Sequence, residues 1–476
     1  MKESLRILHI NDLHSHFEAY PKIKRFFAEH SKTQKEVLRF DIGDNVDKSH
    51  PLTDVSAGRV NVDLMNDLGI DFATIGNNEG IGLAKAEINQ LYHKADFQVI
   101  LGNLRDKKER PTWAQPYVIY ETKAGTKLAL LAYTFPYYWT YEPNGWQVLD
   151  AISSLKKDLE NPEVAAADFR ILLSHLGIRL DEKIARQVPE IDLIIGAHTH
   201  HVFEEGEVVN GTYLAAAGRY GDHVGQIDLD FEDHSLTDIA IEAVPTSDLD
   251  SEKEDAAFVA HLFEEGEKLL AENLICKLSR QPSLKECADL VMEAMKKSAA
   301  ADLAIINTGL VVELFSQNLT KADLHKSLPH QMRLVKFQVT QAELLEICHD
   351  IFSQADLLAN QQIRGMGFRG KQFGKVVTSG FTYKNGKIVY NNIKKVELKL
   401  RMKNIIKILV ILFLLLGIIF FCKRFIDSDY FKVQEVVLVD QYYFAPYFNS
   451  LTSRKGQLLF PDLLRQTVEK YLRGDL

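Results

Sequence analysis

The chain has 476 residues, more than one ordinary domain needs, so two or three domains are expected. Hydrophobic residues make up 46% and charged residues 25%, which is typical of a globular protein with a sizeable core. The formal net charge of -9 argues against binding of nucleic acid polymers, which requires a basic surface. Four cysteines without a CxxC pair favour reduced thiols in the cytoplasm over a disulfide framework.

The first part of the chain, residues 1–247, alternates apolar, β-rich runs with amphipathic stretches. No apolar stretch of signal-peptide length follows the N-terminus, so we expect this part to remain in the cytoplasm. Alternation of this kind predicts a layered α/β domain. The segment 212–231 resembles a hairpin that closes the domain. Strands are predicted at residues 5–10, 36–42, 71–75, 97–102, 127–134, 169–174 and 192–196.

A second, smaller α+β domain is predicted over residues 276–396, after an acidic linker helix at 248–275. Within this domain, helical spacing is found near 283–299 and 341–354, and strand-like runs at 303–307 and 334–339.

Residues 404–422 form an apolar run interrupted by few polar or small residues, and they predict a transmembrane helix near the lower limit of about 20 residues. The larger basic cluster precedes the run, which places the enzyme domains on the cytoplasmic side of a membrane anchor. A buried helix is the alternative. The tail, residues 425–476, has no motif of known role. Since Met402 begins what resembles a separate membrane protein, one hypothesis is that the tail is an appended reading frame.

Five short polar segments each follow a predicted strand of the first domain. In layered α/β folds the carboxyl ends of strands meet at one crevice, so these segments are expected to lie together. A single histidine at a strand end is most often a satisfied polar residue, but five such segments in order favour a site. The side chains in question are Asp12, His14, Asp44, Asn77, Asn78, His175, His198 and His200.

This set of residue types suits a pair of divalent metal ions. Two such ions can clamp a phosphate and activate water, and a carboxylate between them offsets their mutual repulsion. Asp44 is the natural candidate for that bridge. Carboxylate, amide and imidazole ligands together favour Mn, Zn, Fe or Co over Ca or a thiolate-bound metal.

The ordered motifs DxH, GD, GN, H and GxHxH resemble those of the calcineurin-like metallophosphoesterases. NDLHSH with a second domain is similar to the bacterial 5′-nucleotidase and UDP-sugar hydrolase group, in particular its cytoplasmic firmicute members, over about residues 4–396. The resemblance implies a four-layer αββα sandwich and attack of metal-activated hydroxide on the phosphorus of a nucleotide. It also implies that Asp44 bridges one ion held by Asp12, His14 and His200 and another held by Asn77, His175 and His198.

One departure from the family pattern concerns catalysis. The family has a histidine that stabilises the transition state, backed by an aspartate three residues on, and these positions are Asn78 and Ile81 here. Asn78 can donate a hydrogen bond but cannot deliver a proton, and loss of a general acid costs roughly 10²–10⁴-fold in rate. His16 and His201 are candidate replacements, although exposed loop histidines are the simpler interpretation. A weak or inactive nucleotide sensor is therefore the alternative function, and a membrane-tethered scaffold is a third.

In this family the second domain binds the nucleoside, with an asparagine-containing turn and two aromatic rings. The matching turn starts at Asn307, and nearby positive charge would come from Arg364 and Arg369. The rings that could stack on a base are Phe368, Phe373 and Phe381, and a place in the core is the alternative for each.

Overall fold

The computed structural model describes residues 2–363, 368–391, 433–439, 444–452 and 455–476. The chain forms two compact units, Met1–Asn273 and Leu274–Leu476.

The first unit is built from short alternating strands and helices. Its strands are β1 (Lys2–Ile10), β2 (Glu36–Asp41), β3 (Phe72–Ala73), β4 (Gln98–Val99), β5 (Leu104–Arg105), β6 (Tyr117–Glu121), β7 (Lys127–Thr134), β8 (Gln147–Val148), β9 (Phe169–His175), β10 (Leu193–Gly196), β11 (Glu207–Val209), β12 (Thr212–Ala215), β13 (His223–Glu232) and β14 (Ser235–Pro245). Its helices are α1 (Tyr20–His30), α2 (Pro51–Ser56), α3 (Arg59–Leu68), α4 (Lys85–Leu91), α5 (Tyr138–Tyr141), α6 (Ala151–Leu159), α7 (Pro162–Ala165), α8 (Ile178–Gln187) and α9 (Asp255–Ala271).

Two six-stranded sheets carry this unit. The first has the order β14-β13-β1-β2-β3-β4, and β1 to β4 run parallel to one another. The second has the order β11-β12-β10-β9-β7-β6, with β7, β9, β10 and β12 parallel. Parallel strands end at the same edge of their sheet, so each sheet presents several carboxyl ends on one side.

The central strands are buried on both faces. In β1, Leu5 and Ile7 pack between the two sheets, whereas Leu8 and Ile10 pack beneath α1, α3 and α4. The outer face of the second sheet is covered in the same way, since Leu131 of β7 packs with residues of α6 and α8. Helices, sheet, sheet and helices therefore follow one another as layers, which explains why these strands are apolar on both faces.

Most predicted strands of the first unit lie where they were expected, but two assignments change. The proposed hairpin at 212–231 is wrong, because β12 pairs with β10 in the second sheet and β13 pairs with β1 in the first. The acidic helix at 248–275 is not a free linker either. It is observed as α9, which belongs to the first unit and packs Leu262 into the core beneath the first sheet.

The second unit contains β15 (Leu274–Lys277), β16 (Leu303–Asn307), β17 (Asn318–Thr320), β18 (Arg333–Thr340), β19 (Val376–Ser379), β20 (Phe381–Lys384), β21 (Lys387–Tyr390), β22 (Val433–Val439) and β23 (Gln457–Leu463). Its helices are α10 (Leu284–Ala299), α11 (Lys321–Ser327), α12 (Gln341–Ser353), α13 (Ala355–Ala359), α14 (Ala445–Leu451) and α15 (Leu464–Arg473). A five-stranded sheet with the order β19-β16-β22-β18-β23 forms its centre.

The expected end of this unit at residue 396 requires correction. Strand β22 lies in the middle of the sheet, where it pairs in parallel with β16 and antiparallel with β18. Its residues Val436, Val437 and Leu438 are fully buried, and α15 adds Leu464 and Val468 to the core that α10 covers. The described residues of the tail are therefore an integral part of the second unit rather than an appendage.

No helix among the described residues is both long enough and apolar enough to cross a membrane. The transmembrane helix predicted at 404–422 lies outside the described residues, so that assignment stays a prediction.

Candidate metal centre

Polar residues from several strand ends meet at one edge of the first unit. They form two groups, in each of which the candidate ligand atoms all lie within 4.8 Å of one another. The segments that supply them are far apart in sequence and follow β1, β2 and β10, while His175 is the last residue of β9. One group contains Asp12, His14 and His200, and the other contains Asp44, His175 and His198.

Asp44 lies between the two groups. Its Oδ2 atom is 3.4 Å from Nε2 of His175 in one group and 3.8 Å from Nε2 of His14 in the other. Asp12 Oδ1 is 3.6 Å from Nε2 of His200 and 4.0 Å from Nε2 of His175. The two groups are therefore close enough for the carboxylate of Asp44 to reach ligands of both.

The backbone is strained where the ligands are presented. L-residues rarely adopt positive φ angles, and each such residue costs on the order of 1 kcal/mol unless its surroundings hold it. Five of the candidate ligands have such φ angles: Asp12 (φ 50°), His14 (50°), Asp44 (52°), His198 (72°) and His200 (57°). The concentration of this strain on candidate ligands indicates that packing imposes the geometry of the site.

Glycine is required where two of these loops press together. A side chain on Gly76 would collide with the carboxylate of Asp44 and with the ring of His175. Gly43, at φ 86°, lies against the backbone of Gly76. Only glycine lets the loops after β2 and β3 approach each other this closely.

Two buried polar side chains hold the ligand loops in place. Glu79 accepts hydrogen bonds from the backbone N–H groups of Asp44 (3.0 Å), Val46 (2.8 Å) and Gly76 (2.8 Å), and thereby joins the loops after β2 and β3. Asn11 donates to Asp12 Oδ2 at 3.0 Å. Neither was singled out as a site residue from the sequence, although both stand inside the motifs NDLH and GNNE.

Hydrogen bonds also orient two of the histidine rings. Nδ1 of His175 lies 2.8 Å from the carbonyl oxygen of Ile42, so its N–H donates there and Nε2, 3.4 Å from Asp44 Oδ2, is the ring atom left to face a metal. Nε2 of His198 lies 3.1 Å from the hydroxyl of Tyr137, and the ring of Phe135 stacks on His198 at 5.1 Å. Tyr137 and Phe135 were missed in the sequence, yet they follow β7, whose carboxyl end lies at the same edge.

The electrostatics favour neutral imidazoles at His198 and His200, whereas the carboxylates of Asp44 and Asp12 outweigh burial at His175 and raise its pKa to about 10. Burial and then the charge of His175 lower the pKa of His198 to about 4, and burial with the charge of His14 lowers the pKa of His200 to about 4. Burial would favour the neutral acid of Asp44, but the charges of His175 and His14, together with hydrogen bonds from His175 and the Asn78 backbone, outweigh it and lower the pKa of Asp44. At neutral pH the rings of His198 and His200 therefore offer lone pairs to a cation.

The donor atoms fit a pair of divalent cations. The buried Nε2 of His175 and Oδ1 of Asn77 make no hydrogen bond within the described part of the chain. Both are atoms that carry a lone pair suited to a metal, and both belong to residues predicted as ligands of one ion. Because burial of such atoms without a partner is costly, a bound cation gives them a physical role.

Asn78 supports the ligands instead of facing open space. Its side-chain nitrogen lies 2.9 Å from Nδ1 of His14 and 2.9 Å from the carbonyl oxygen of Val46. Its backbone N–H donates to Asp44 Oδ1 at 2.7 Å. Asn78 begins a short π-helix, Asn78–Gly82, a local distortion that is frequent at functional sites. This geometry makes Asn78 a positioning residue, and its direct catalytic role stays a prediction.

A positively charged rim lies beside His200. The guanidinium of Arg219 sits 4.6 Å over the ring of Tyr220, and its Nη1 is 3.3 Å from Nδ1 of His200. His16 stacks on Tyr220 at 3.9 Å, close to the site. His201 is exposed, and its Nδ1 lies 3.0 Å from Oγ1 of Thr199. Unlike His16 and His201, Arg219 was not singled out from the sequence.

The predicted substrate residues of the second unit have a different environment. Phe368 and Phe373 are 3% exposed and Phe381 is 0% exposed, so these rings belong to the core and offer no free face to a base. Asn307 is buried and donates to the carbonyl oxygen of Phe373 at 2.7 Å. Arg369 is exposed, and its backbone N–H donates to Nδ1 of His330 at 3.0 Å. Arg364 lies outside the described residues.

The sequence of the chain is similar to that of known phosphoesterases. A model of the calcineurin-like phosphoesterase family matches residues 5–202. The uncharacterized metallophosphoesterase YunD of Bacillus subtilis is 40% identical over 395 residues, covering 80% of this chain and 84% of YunD. The 5′-nucleotidase of Vibrio cholerae is 25% identical over 294 residues, and the match covers 51% of this chain and 52% of that protein.

Among solved structures, the 5′-nucleotidase precursor of Thermus thermophilus aligns with a TM-score of 0.57, covering 99% of this chain and 96% of that chain. At 16% identity this likeness concerns the fold alone. The match to YunD and the family match are stronger evidence. The first is long and at 40% identity, and the second spans the strands that carry the candidate ligands. This chain therefore belongs to the calcineurin-like metallophosphoesterases, a family of phosphoester hydrolases that use a dinuclear centre of divalent metal ions.

Proposed function

We propose that the chain is a two-metal-dependent phosphohydrolase of nucleotides, acting as a 5′-nucleotidase or on UDP-sugars or cyclic nucleotides. The observation that carries the proposal is the position of Asp44 between two adjacent groups of buried ligands. Nucleotides are favoured as substrates because several relatives of 23–25% sequence identity are 5′-nucleotidases.

The ligands divide between two ions as their grouping suggests. When bound, a pair of divalent ions polarises a phosphoryl oxygen and makes water a stronger nucleophile at neutral pH. Mn, Zn, Fe and Co all suit this donor set. One ion would be held by Asp12, His14 and His200, the other by Asn77, His175 and His198, and both by Asp44.

The remaining groups of the site would bind and orient the substrate. With the carboxylates of Asp12 and Asp44 as its charged ligands, a centre of two divalent ions keeps a net positive charge, which attracts a phosphate dianion. Arg219 adds a guanidinium at the rim, where it can hydrogen-bond to phosphate oxygens. Asn78 keeps His14 and Asp44 in position through its side-chain and backbone N–H groups.

The test is a panel of nucleoside 5′-monophosphates, cyclic nucleotides and UDP-sugars, incubated with the full chain and Mn²⁺, Zn²⁺, Fe²⁺ or Co²⁺. Release of phosphate is measured for the monophosphates, and release of a nucleoside monophosphate for the other two classes. We expect release from at least one class, dependent on the metal and abolished by a chelator. If the metal-loaded protein hydrolyses no phosphoester in the panel, the proposed function is wrong.

A second candidate function is a nucleotide sensor with little or no turnover. It is favoured by Asn78 and Ile81, which stand where the family has its catalytic histidine and supporting aspartate, and by the engagement of the Asn78 amide with His14. Tight binding of adenosine 5′-monophosphate in calorimetry, without release of phosphate, would support this function. Metal-dependent turnover that disappears in His198→Ala would exclude it.

A further inference from the structure

The turn between β12 and β13, residues 216–222, passes from the second sheet of the first unit to its first sheet. Strand β12 runs parallel to β10, so the turn starts at the edge where His198 and His200 follow β10. It carries Arg219 and Tyr220, and Tyr220 has a φ angle of 60°. A bulky residue rarely adopts this conformation, and such strain persists only where the surroundings impose it.

Hydrogen bonds tie this turn to the loop that carries Asp12. The side chain of Asn11 accepts from the backbone N–H of Ala217 at 3.1 Å and donates to the carbonyl oxygen of Gly218 at 2.7 Å. Its amide nitrogen also donates to Asp12 Oδ2 at 3.0 Å, and the backbone N–H of Tyr220 donates to the Asp12 carbonyl oxygen at 2.8 Å. The position of the turn is therefore fixed relative to a candidate metal ligand.

The ring of Tyr220 packs among histidines of the site. It stacks on His16, with 3.9 Å between the ring centroids, and makes a T-shaped contact with His14 at 5.6 Å. The centroid of the His200 ring is 6.4 Å away. The guanidinium of Arg219 lies 4.6 Å from the centroid of the Tyr220 ring, which is a cation–π distance. The strained backbone thus presents a rigid ring that holds the guanidinium beside the candidate ligands.

Arg219 places a positive charge next to the ligand groups. Its Nη1 is 3.3 Å from Nδ1 of His200, and its side chain is exposed to solvent. Within the described ranges of the chain, Arg219 forms no ion pair with a carboxylate. A guanidinium only donates hydrogen bonds and keeps its charge at neutral pH, whereas the amide of Asn78 is uncharged. Arg219 is therefore suited to an anion bound at the neighbouring ligand groups.

We propose that Arg219 selects phosphate monoesters, such as nucleoside monophosphates, over the diester of cyclic nucleotides and the pyrophosphate of UDP-sugars. The inference rests on the proposed function and narrows its substrate class. A monoester phosphate carries a charge of about -1.5 to -2 at pH 7, and it has a third non-bridging oxygen that can accept from Arg219 while two face the ligand groups. A phosphodiester has one negative charge and two such oxygens. Tyr220 is the positioning residue for this guanidinium.

Two substrates with the same leaving group test this proposal in the metal-loaded full chain. They are p-nitrophenyl phosphate, a monoester, and bis(p-nitrophenyl) phosphate, a diester. Arg219→Gln should lower kcat/KM for the monoester about 10- to 150-fold, the equivalent of one hydrogen bond to a charged group, and for the diester by no more than about threefold. The control, Arg186→Gln, replaces an exposed arginine in the last turn of α8 and should change neither value. Equal losses for both substrates, or no loss for the monoester, would overturn the proposal.

The role of Tyr220 is tested by the ratio of the two kcat/KM values. Tyr220→Leu removes the aromatic ring and should lower the monoester-to-diester ratio about 2- to 5-fold, the equivalent of one exposed cation–π contact. Tyr220→Phe retains the ring and should keep the wild-type ratio. Binding of Mn²⁺, measured by calorimetry, should be the same in both variants, because neither changes a candidate ligand. An unchanged ratio in Tyr220→Leu, or equal losses of both activities together with weaker binding of Mn²⁺, would show that the ring does not position Arg219.

A binding measurement distinguishes failure of this proposal from failure of the proposed function. Methylphosphonate, which has three phosphonate oxygens and no ester bond, and dimethyl phosphate, a diester, are each titrated into the Mn²⁺-loaded protein in a calorimeter. We expect Arg219→Gln to weaken binding of methylphosphonate about 10- to 150-fold and binding of dimethyl phosphate by no more than about threefold. Similar weakening for both ligands, or no binding of methylphosphonate to the wild-type chain, would refute the proposal. The expected binding pattern without hydrolysis of any phosphoester would contradict the proposed function alone.

Discussion

The first unit presents polar side chains at the carboxyl ends of its parallel strands, whereas the second unit places its glycine-flanked aromatic rings inside its core. In the first unit, the groups around Asp12 and Asp44 meet because several strands end at one edge. In the second, Phe373 and Phe381 pack among residues of the five-stranded sheet. A polar residue at a strand end is thus a stronger indication of function than an aromatic ring near glycines, because rings also serve as core.

The largest expected effect comes from removing the strand that completes the second unit. A chain truncated after residue 396 lacks β22, whose four residues 436–439 are each at most 3% exposed. Burial of such side chains contributes roughly 1.5–3 kcal/mol each, a sum comparable to the whole stability of a domain. We expect the second unit of the truncated chain to lose its cooperative unfolding transition and to aggregate, as monitored by circular dichroism and light scattering.

A matched pair of point variants refines the same test. Val437→Asp places a charge at a fully buried position of β22 and should destabilise the second unit by about 4 kcal/mol or more. Val433→Asp, at a position 41% exposed on the same strand, should cost about 1 kcal/mol or less. Equal unfolding midpoints for the two variants would show that β22 is not part of the core.

In the first unit, the largest effect is expected on catalysis and not on folding. Asp44→Asn removes the negative charge shared by both ligand groups, so we expect phosphate release to fall by at least about 1000-fold and calorimetry to show weaker binding of Mn²⁺. The control is Asp238→Asn, on an exposed position of β14, which should keep wild-type activity. An active Asp44→Asn variant would contradict the bridging role.

The buried rings of the second unit allow a direct test of how the two units differ. Phe381→Ala should lower the free energy of unfolding by about 3–5 kcal/mol, because it leaves a cavity in the core. KM for adenosine 5′-monophosphate should stay within about twofold under conditions where the variant is folded. Val389→Ala, at a side chain 57% exposed, is the surface control. A raised KM with unchanged stability would restore Phe381 as a base-binding ring.

The smallest expected effect concerns a buried acid behind the metal centre. Asp181 accepts a hydrogen bond from Oγ of Ser174, and burial raises its pKa to about 8 from the ordinary 3.8. Between these values the folded protein keeps a proton that the unfolded chain releases. The free energy of unfolding should therefore fall as pH rises through this window, by up to about 1.4 kcal/mol per pH unit from this group.

Asp181→Asn removes that contribution, so its stability should depend less on pH than that of the wild type. Urea unfolding with a chelator at pH 5.5 and pH 7.5 measures the difference, which should be about 2–3 kcal/mol over this interval. Parallel changes in the two proteins would show that Asp181 is ionised throughout. Asp181 is not a candidate ligand, so the substitution leaves both ligand groups unchanged.

Much of the first unit could be predicted from local patterns. Apolar runs of strand length predicted β7 with its observed bounds and β1, β2, β9 and β10 with ends shifted by a few residues. The polar residues after these strands could be assembled into a site because parallel strands end at one edge. Asn11 and Glu79 could also have been predicted as site residues, since they stand next to the ligands in the same motifs.

What the sequence determined by itself was seven of the strands of the first unit, the polar residues at their ends and the resemblance to a metallophosphoesterase. Only the tertiary structure decided which distant segments pair, as with β12 and β13 in separate sheets and β22 between β16 and β18. It also decided which aromatic rings are buried, as Phe381 is, and which stay exposed, as Trp139 does. The physical reason is that apolar patterns report local conformation, whereas pairing and burial depend on residues far away in the chain.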